Sequence, residues 1–313
     1  MRFIGADEVR AKLTYEVCIP LMREAMTAFS AGHTRQLLRS ILPLAGDNMF
    51  GVMPGALAAD GPFGAKLISV FPHNFDHSGP SHQGVIVLFD GPCGAPVAIV
   101  DAGEVTALRT AAASAMATDA LAQSDARRLA ILGYGRQAIE HARAIATIRS
   151  IEHLTVWGRD PARAAEFARR VAHELGLPCE SAADARAAVE HADIICTVTP
   201  ATEPIVQGAW IAPGAHVNLV GAGHAGQAEA DVELVAKTRF FVDSREGVIA
   251  QGGEFRRAKA AGAVDDNHIA GEIGEVLSGA RQGRRSPDEI TVYKSLGHVA
   301  QDLACASALY RDQ

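Results

Sequence analysis

Two hydrophobic rhythms divide this chain. From about residue 129 to 243, short unbroken apolar runs alternate with longer stretches whose apolar positions return every three or four residues. The first rhythm marks buried strands and the second amphipathic helices, so the middle of the chain predicts strands at 129–132, 154–157, 193–198, 215–220 and 240–243. Helices are predicted between them at 136–148, 161–175 (opening on Pro161) and 182–191, with more near 253–261 and 269–278. Strand–helix alternation of this kind builds a doubly wound parallel sheet.

The first 120 residues read differently. A short strand at 3–4 precedes a helix that Asp7 is expected to cap, and 15–32 places Ile19, Met22, Ala25, Met26 and Phe29 on one helical face. Segments rich in β-formers follow at 37–43, 49–54, 64–71, 84–89 and 95–100, broken by glycine and proline. Asp90-Gly91 begins a turn between the last two. Residues 102–122 are Ala-rich and helical, and 290–310 runs from I-T-V-Y through K-S-L-G into an apolar helix that offers itself as a subunit contact. The expected organisation is an α/β Rossmann domain over 121–294. A second α+β domain over 1–120, completed by 295–313, would serve substrate binding and dimerisation.

At 129–138 the sequence L-A-I-L-G-Y-G-R-Q-A is a buried strand, a tight turn and a helix start. It spells Gly-x-Gly-x-x-Ala, the dinucleotide fingerprint. Gly133 permits the turn, Gly135 lets a pyrophosphate approach the backbone, and Ala138 lets helix and strand pack closely. Arg136 and Gln137 begin the helix, whose free N–H groups and positive dipole end attract phosphate. At the end of the second strand, W-G-R-D-P puts Gly158 where NAD-selective sites carry an acid, with Arg159 next. An arginine there can bind a 2′-phosphate, which favours NADP(H); Asp160 keeps NAD(H) open. Thr197, Thr199, Val220 and Gly221 lie at strand ends on the rim where open α/β sheets bind ligands.

A net charge of −7 and 5% aromatic residues give no surface for nucleic acid. Five scattered cysteines without C-x-x-C spacing suit free thiols in a reducing cytoplasm. No apolar run is long enough to span a membrane. His73, His77 and His82 share a loop with Pro72, Gly79 and Pro80, but no helix there can align the first two, so no metal site is expected. Lys66 stands in the apolar strand G-A-K-L-I-S-V-F, where its ammonium must find a partner or emerge into a cleft. Arg109 stands among small residues in L-R-T-A-A-A, where it reads as a carboxylate clamp or as a salt bridge at a domain junction, and Thr110 follows it.

Six stretches together resemble the ornithine cyclodeaminase/mu-crystallin family: M-P-G-A-L at 53–57, G-A-K-L-I-S-V-F-P-H-N at 64–74, V-L-F-D at 87–90, L-R-T-A-A-A-S at 108–114, the fingerprint, and I-T-V-Y-K-S-L-G at 290–297. They occur in family order over nearly the whole chain. The resemblance implies a homodimer, an active site between the domains, a catalytic lysine at Lys66, and carboxylate-binding arginines at Arg109 and Arg39. It also implies a substrate-side hydroxyl near Ser81, and Ser295 and Gly297 beneath a nicotinamide. Two departures bear on the reaction. Gly223 stands where family cyclodeaminases carry a catalytic aspartate, with His224 beside it as a possible substitute proton donor. Gly51 stands where they hold the ornithine side-chain amine with an acid. The expectation is therefore an NAD(P)-dependent oxidoreductase that reduces the C=N bond of a small cyclic imino acid, of ketimine or pyrroline-2-carboxylate type. Ornithine cyclodeaminase and a non-catalytic NADPH-binding protein are the alternatives.

Overall fold

The structure, a computed structural model, describes residues 1–77 and 80–312, without the side chains of 75–77. Gly79 and the His77 side chain of the histidine-bearing loop lie outside the described residues. The chain forms two compact units, Met1–Arg109 with His298–Gln313, and Thr110–Gly297. The first division falls inside the Ala-rich helix rather than at its end.

The first unit runs β1 (Arg2–Ile4), α1 (Ala6–Lys12), α2 (Tyr15–Ser30), β2 (Arg35–Gln36), β3 (Ser40–Pro43), β4 (Met49–Ala56), β5 (Phe63–Val70), β6 (His82–Phe89) and β7 (Pro96–Asp101) into α3 (Ala102–Leu121). Its sheet has the order β1-β7-β6-β5-β4-β2, with β3 also on β4. β1 lies parallel to β7 and the other pairs are antiparallel. The turn after Asp90 closes the β6–β7 hairpin, with the Asp90 N–H donating to Ala95 O at 2.9 Å. Asp7 does not cap α1; Gly5 holds that position and Asp7 sits in the first turn, where its charge still suits the helix dipole.

The second unit runs β8 (Arg128–Leu132), α4 (Arg136–Ile148), β9 (His153–Trp157), α5 (Pro161–Leu175), β10 (Cys179–Ser181), α6 (Ala185–Val189), β11 (Ile194–Thr197), β12 (His216–Leu219), α7 (Val232–Lys237), β13 (Arg239–Val242), α8 (Arg245–Gln251), α9 (Gly253–Ala260), β14 (Ile269–Glu272), α10 (Ile273–Leu277) and β15 (Thr291–Lys294). Its eight strands are all parallel, in the order β10-β9-β8-β11-β12-β15-β13-β14. The order reverses between β8 and β11, the switch point at which such sheets take ligands. α5 is bounded as its sequence dictates: the Asp160 side chain accepts from the Ala162 and Arg163 N–H groups, Pro161 opens the helix, and Gly176 ends it at φ 64°.

Two helix expectations are corrected. The predicted helix at 182–191 is only α6: the Ala182 N–H still donates to Val156 O of β9, and Asp184 caps the helix by accepting from the Ala187 N–H. The predicted helix at 269–278 begins as β14 and turns helical only at Ile273.

The chain returns to the first unit as α11 (Val299–Arg311). This helix is not the free apolar surface expected from its sequence. Val299, Ala300, Leu303, Ala306 and Leu309 are buried against α2 and β4–β6, so its hydrophobic face is consumed within its own unit.

Candidate active site and dinucleotide cradle

In the second unit, β8 ends at Leu132 and Gly133 turns the chain at φ 127°. A side chain there would be strained, and its Cβ would stand 3.0 Å from the Val198 carbonyl oxygen. The Gly133 N–H donates to Trp157 O at 2.8 Å, which ties the turn to β9. Gly135 is the N-cap of α4, with open space where a side chain would stand, and Ala138 is fully buried. Arg136 and Gln137 form the first turn of α4. The backbone amides and open glycine face fit a dinucleotide pyrophosphate.

Glu229 organises the strand-end rim and was not foreseen. Its buried carboxylate accepts from Thr197 Oγ1 (2.7 Å), from the Thr199 N–H and Oγ1 (2.6 and 2.8 Å), and from the Gly221 and Ala222 N–H groups (2.7 and 3.3 Å). The hydroxyls of Thr197 and Thr199, expected at the cofactor, thus donate within the protein. Burial raises the Glu229 carboxyl above the usual carboxylate range, against the opposing pull of Lys294 and its hydrogen-bond donors. Lys294 is fully buried, paired with Glu254 at 3.0 Å and donating to Ala222 O at 2.7 Å. Val220 and Gly221 donate through their N–H groups to Thr197 O, both at 3.1 Å.

Asp243 accepts from the Leu296 and Gly297 N–H groups, both at 2.7 Å, and fixes the loop that contains Ser295. The Ser295 hydroxyl is buried with no hydrogen-bond partner among the described residues. An orphaned hydroxyl of this kind suits a polar ligand.

Gly158 has a steric reason. A Cβ there would meet the Tyr134 ring at 2.3 Å, so an acidic residue fits only if Tyr134 moves. Arg163 lies 4.9 Å over the same ring. Asp160 uses Oδ1 as the cap of α5, while Arg159 is exposed. Thr110 is buried on α3. His224 accepts the Gly226 N–H at its own Nδ1, a contact within the loop.

In the first unit, β5, α3 and α11 bring three charged side chains together in the interior. Lys66 Nζ donates to Asp302 Oδ1 at 3.1 Å, and Arg109 Nε donates to the same oxygen at 3.0 Å. Lys66 is 2% exposed, Arg109 4%, and Asp302 is completely buried. Arg109 Nη1 donates to Gln301 Oε1 at 3.0 Å, so the guanidinium is pinned at two nitrogens. Asp302 Oδ2 has no hydrogen-bond partner among the described residues.

Burial pushes Lys66 down to about 8, Arg109 and Arg39 push the same way, and Asp302 opposes them. Burial works against the Asp302 carboxylate, yet Arg109 and Lys66 hold it below its usual range. Arg39, half-buried between β2 and β3, therefore belongs to the electrostatic surroundings of Lys66. Ser81 shares a 2.9 Å hydrogen bond with His82 Nδ1. Asp302 and Gln301 escaped sequence reasoning; the signal was a polar pair in the otherwise apolar V-A-Q-D-L-A.

The parallel sheet, glycine turn and buried cationic cluster define a Rossmann-type dinucleotide-binding protein with a second α+β unit. The chain belongs to the ornithine cyclodeaminase/mu-crystallin family, whose pattern matches residues 2–313. The rat ketimine reductase mu-crystallin is 37% identical, across 98% of this chain and 96% of its own. The Thermococcus litoralis Delta(1)-pyrroline-2-carboxylate reductase, solved with NADH and L-proline, superposes with a TM-score of 0.96 at 32% identity, covering 99% of this chain and 97% of that one. An archaeal alanine dehydrogenase dimer with bound NAD superposes at 0.93 and 27% identity, covering 99% and 95%.

Proposed function

We propose that this protein is an NAD(P)H-dependent reductase of a small cyclic α-imino acid, of ketimine or pyrroline-2-carboxylate type. The observation that carries the reading is the interior cluster of the first unit, where two cations share one carboxylate. That leaves a surplus positive charge suited to a substrate α-carboxylate. The rat and Thermococcus relatives, named for ketimine and pyrroline-2-carboxylate reduction, support the reaction class.

A nicotinamide dinucleotide held by the second unit would supply the hydride for the C=N carbon. Arg109, through Nη2, and Arg39 anchor the carboxylate, and the Lys66 ammonium gives a proton to the imine nitrogen. Hydride and proton together convert the imine to an amine. In the second unit Gly133, Gly135 and the start of α4 would hold the pyrophosphate, and the Ser295 hydroxyl would be the hydrogen-bonding group for the nicotinamide end.

NADP(H) is the favoured dinucleotide. Its support is Arg159, the Tyr134 ring standing where a side chain at position 158 would go, and the use of Asp160 as a helix cap. Cyclodeamination ranks lower because Gly51 and Gly223 carry no carboxylate.

The protein acts as a homodimer in the cytoplasm. The exposed side chains of Leu37, Leu38, Ile41, Leu42 and Leu44, around the edge strand β3, and the dimeric alanine dehydrogenase relative support the assembly. Five free cysteines suit a reducing compartment, and among the described residues no helix is long and apolar enough to cross a membrane. A sedimenting mass of 32.9 kDa, rather than twice that, would refute the dimer.

The functional test follows NADPH and NADH oxidation with pyrroline-2-carboxylate and piperideine-2-carboxylate, with ammonia release from L-ornithine measured alongside. Oxidation without ammonia, faster with NADPH, is expected. Ammonia without net oxidation would replace this reading with cyclodeamination.

A further inference from the structure

Asp302 lies in the first turn of α11, near the positive end of the helix dipole. Through one oxygen, Oδ1, it receives both Lys66 Nζ and Arg109 Nε. Its neighbour Gln301 takes Arg109 Nη1 and donates through Nε2 to Met26 Sδ at 3.3 Å, which anchors the guanidinium to α2 as well. Two of the three guanidinium nitrogens are thus held inside the unit, and Nη2 donates to no group among the described residues.

A buried ion cluster adds little net stability compared with a well-packed apolar one. Stability alone would not call for two cations on one anion. The surplus charge fits a site completed by an incoming anion.

We propose that Asp302 is the positioning residue of this site: its Oδ1 fixes the Lys66 ammonium and the Arg109 guanidinium for an α-imino-acid carboxylate, and its charge keeps Lys66 a cation. The proposal rests on the reductase reading for the identity of that anion, but not for the effect of Asp302 on Lys66. The groups that act on Lys66 come from every side. Asp302 on α11 favours the ammonium. Arg109 on α3 and Arg39 between β2 and β3 disfavour it, and His82 on β6 is coupled to the same charge. Among these groups Asp302 is the sole anion, so nothing else on that side of the balance replaces it. His298, the N-cap of α11, is coupled in turn to Asp302 and Arg109.

The test is Asp302→Asn in the full-length protein, with two independent readouts. The first is the titration of Lys66 by NMR of ε-13C-labelled lysine, with Lys66→Met used to assign the resonance. Burial pushes Lys66 down to about 8, so its resonance is expected to titrate near there in the parent protein and lower by about one unit or more in Asp302→Asn. The second is the pH profile of kcat/KM with pyrroline-2-carboxylate, whose alkaline limb moves to lower pH by the same amount, with KM raised about tenfold or more. An unmoved titration and an unmoved alkaline limb would overturn the proposal.

Parent protein inactive on every imino acid would refute the reductase reading, while the NMR titration would still decide the role of Asp302. NADPH binding reports on the second unit and should stay unchanged in the variant. Should Asp302→Asn fail to fold, Asp302→Glu decides. It retains the charge but moves the shared oxygen, so Lys66 should titrate near its parent value while KM rises about tenfold. Unchanged KM in that variant would refute the positioning role.

Discussion

Lys66 and Arg109 could be picked out in the sequence because a cation amid apolar or small neighbours has a desolvation cost that something must offset. What offsets it could not be read. Asp302 lies 236 residues from Lys66 and 193 from Arg109, and only folding brings the three together. Arg109, readable in sequence as a carboxylate clamp or as a salt bridge, donates at two nitrogens to Asp302 and Gln301. Ser81, expected beside the substrate, bonds its neighbour His82. Lys66→Met should lower kcat for imine reduction by about 10²–10⁴, the usual worth of a positioned proton donor. NADPH affinity, measured by nicotinamide fluorescence, should stay within about twofold, because the fingerprint residues belong to the other unit. Retention of full kcat would remove Lys66 from the chemistry.

Strongly periodic elements were legible: α4, α5, β8 and the β6–β7 hairpin fall where their patterns and turn residues put them. Short edge elements were not. β10 and β14 are three and four residues long, at the two ends of the sheet, too brief for an alternation to declare itself. The fate of the apolar helix α11 was also hidden, since an apolar face looks the same whether its own unit or another subunit covers it. The rim of the second unit shows how elements are joined by one side chain. Glu229 gathers the ends of β11 and β12 through five donors. Glu229→Gln keeps the size but turns one acceptor into a donor that faces other donors. We expect it to cost about 1–3 kcal/mol, seen as a fall of several degrees in the thermal midpoint. A midpoint within one degree of the parent would show the rim to be held by other contacts.

At the scale of the whole molecule, family order along the sequence made the architecture legible, whereas the buried polar ties inside each unit could not be read from it. Two of those ties set an acid limit. His141 is buried between Ser114 Oγ (2.9 Å) and Gln137 O (2.8 Å), and burial pushes it down to about 4. His216, buried against Thr291 and Asn218, is pushed down to about 3, again mainly by burial. Both folded values lie below the unfolded value of 6.5, so the unfolded chain binds more protons as pH falls. Stability from these two groups should therefore be intact above about pH 6.5 and decline by about 1.4 kcal/mol per histidine for each pH unit below it, down to about pH 4. Denaturant titrations at pH 7 and pH 5 measure this, and equal midpoints would refute it. The split first unit has a further consequence, for the order in which the molecule is made. Its sheet emerges early in synthesis, yet α11 follows only after residues 110–297. At ribosomal speeds of about 5–20 residues per second, that gap lasts roughly 10–40 s. Throughout it Lys66 on the nascent sheet and Arg109 on α3 lack their counter-ion, with the surface meant for α11 uncovered. The second unit can close behind it meanwhile, so we expect this half-built sheet to stay uncovered until the last residues arrive.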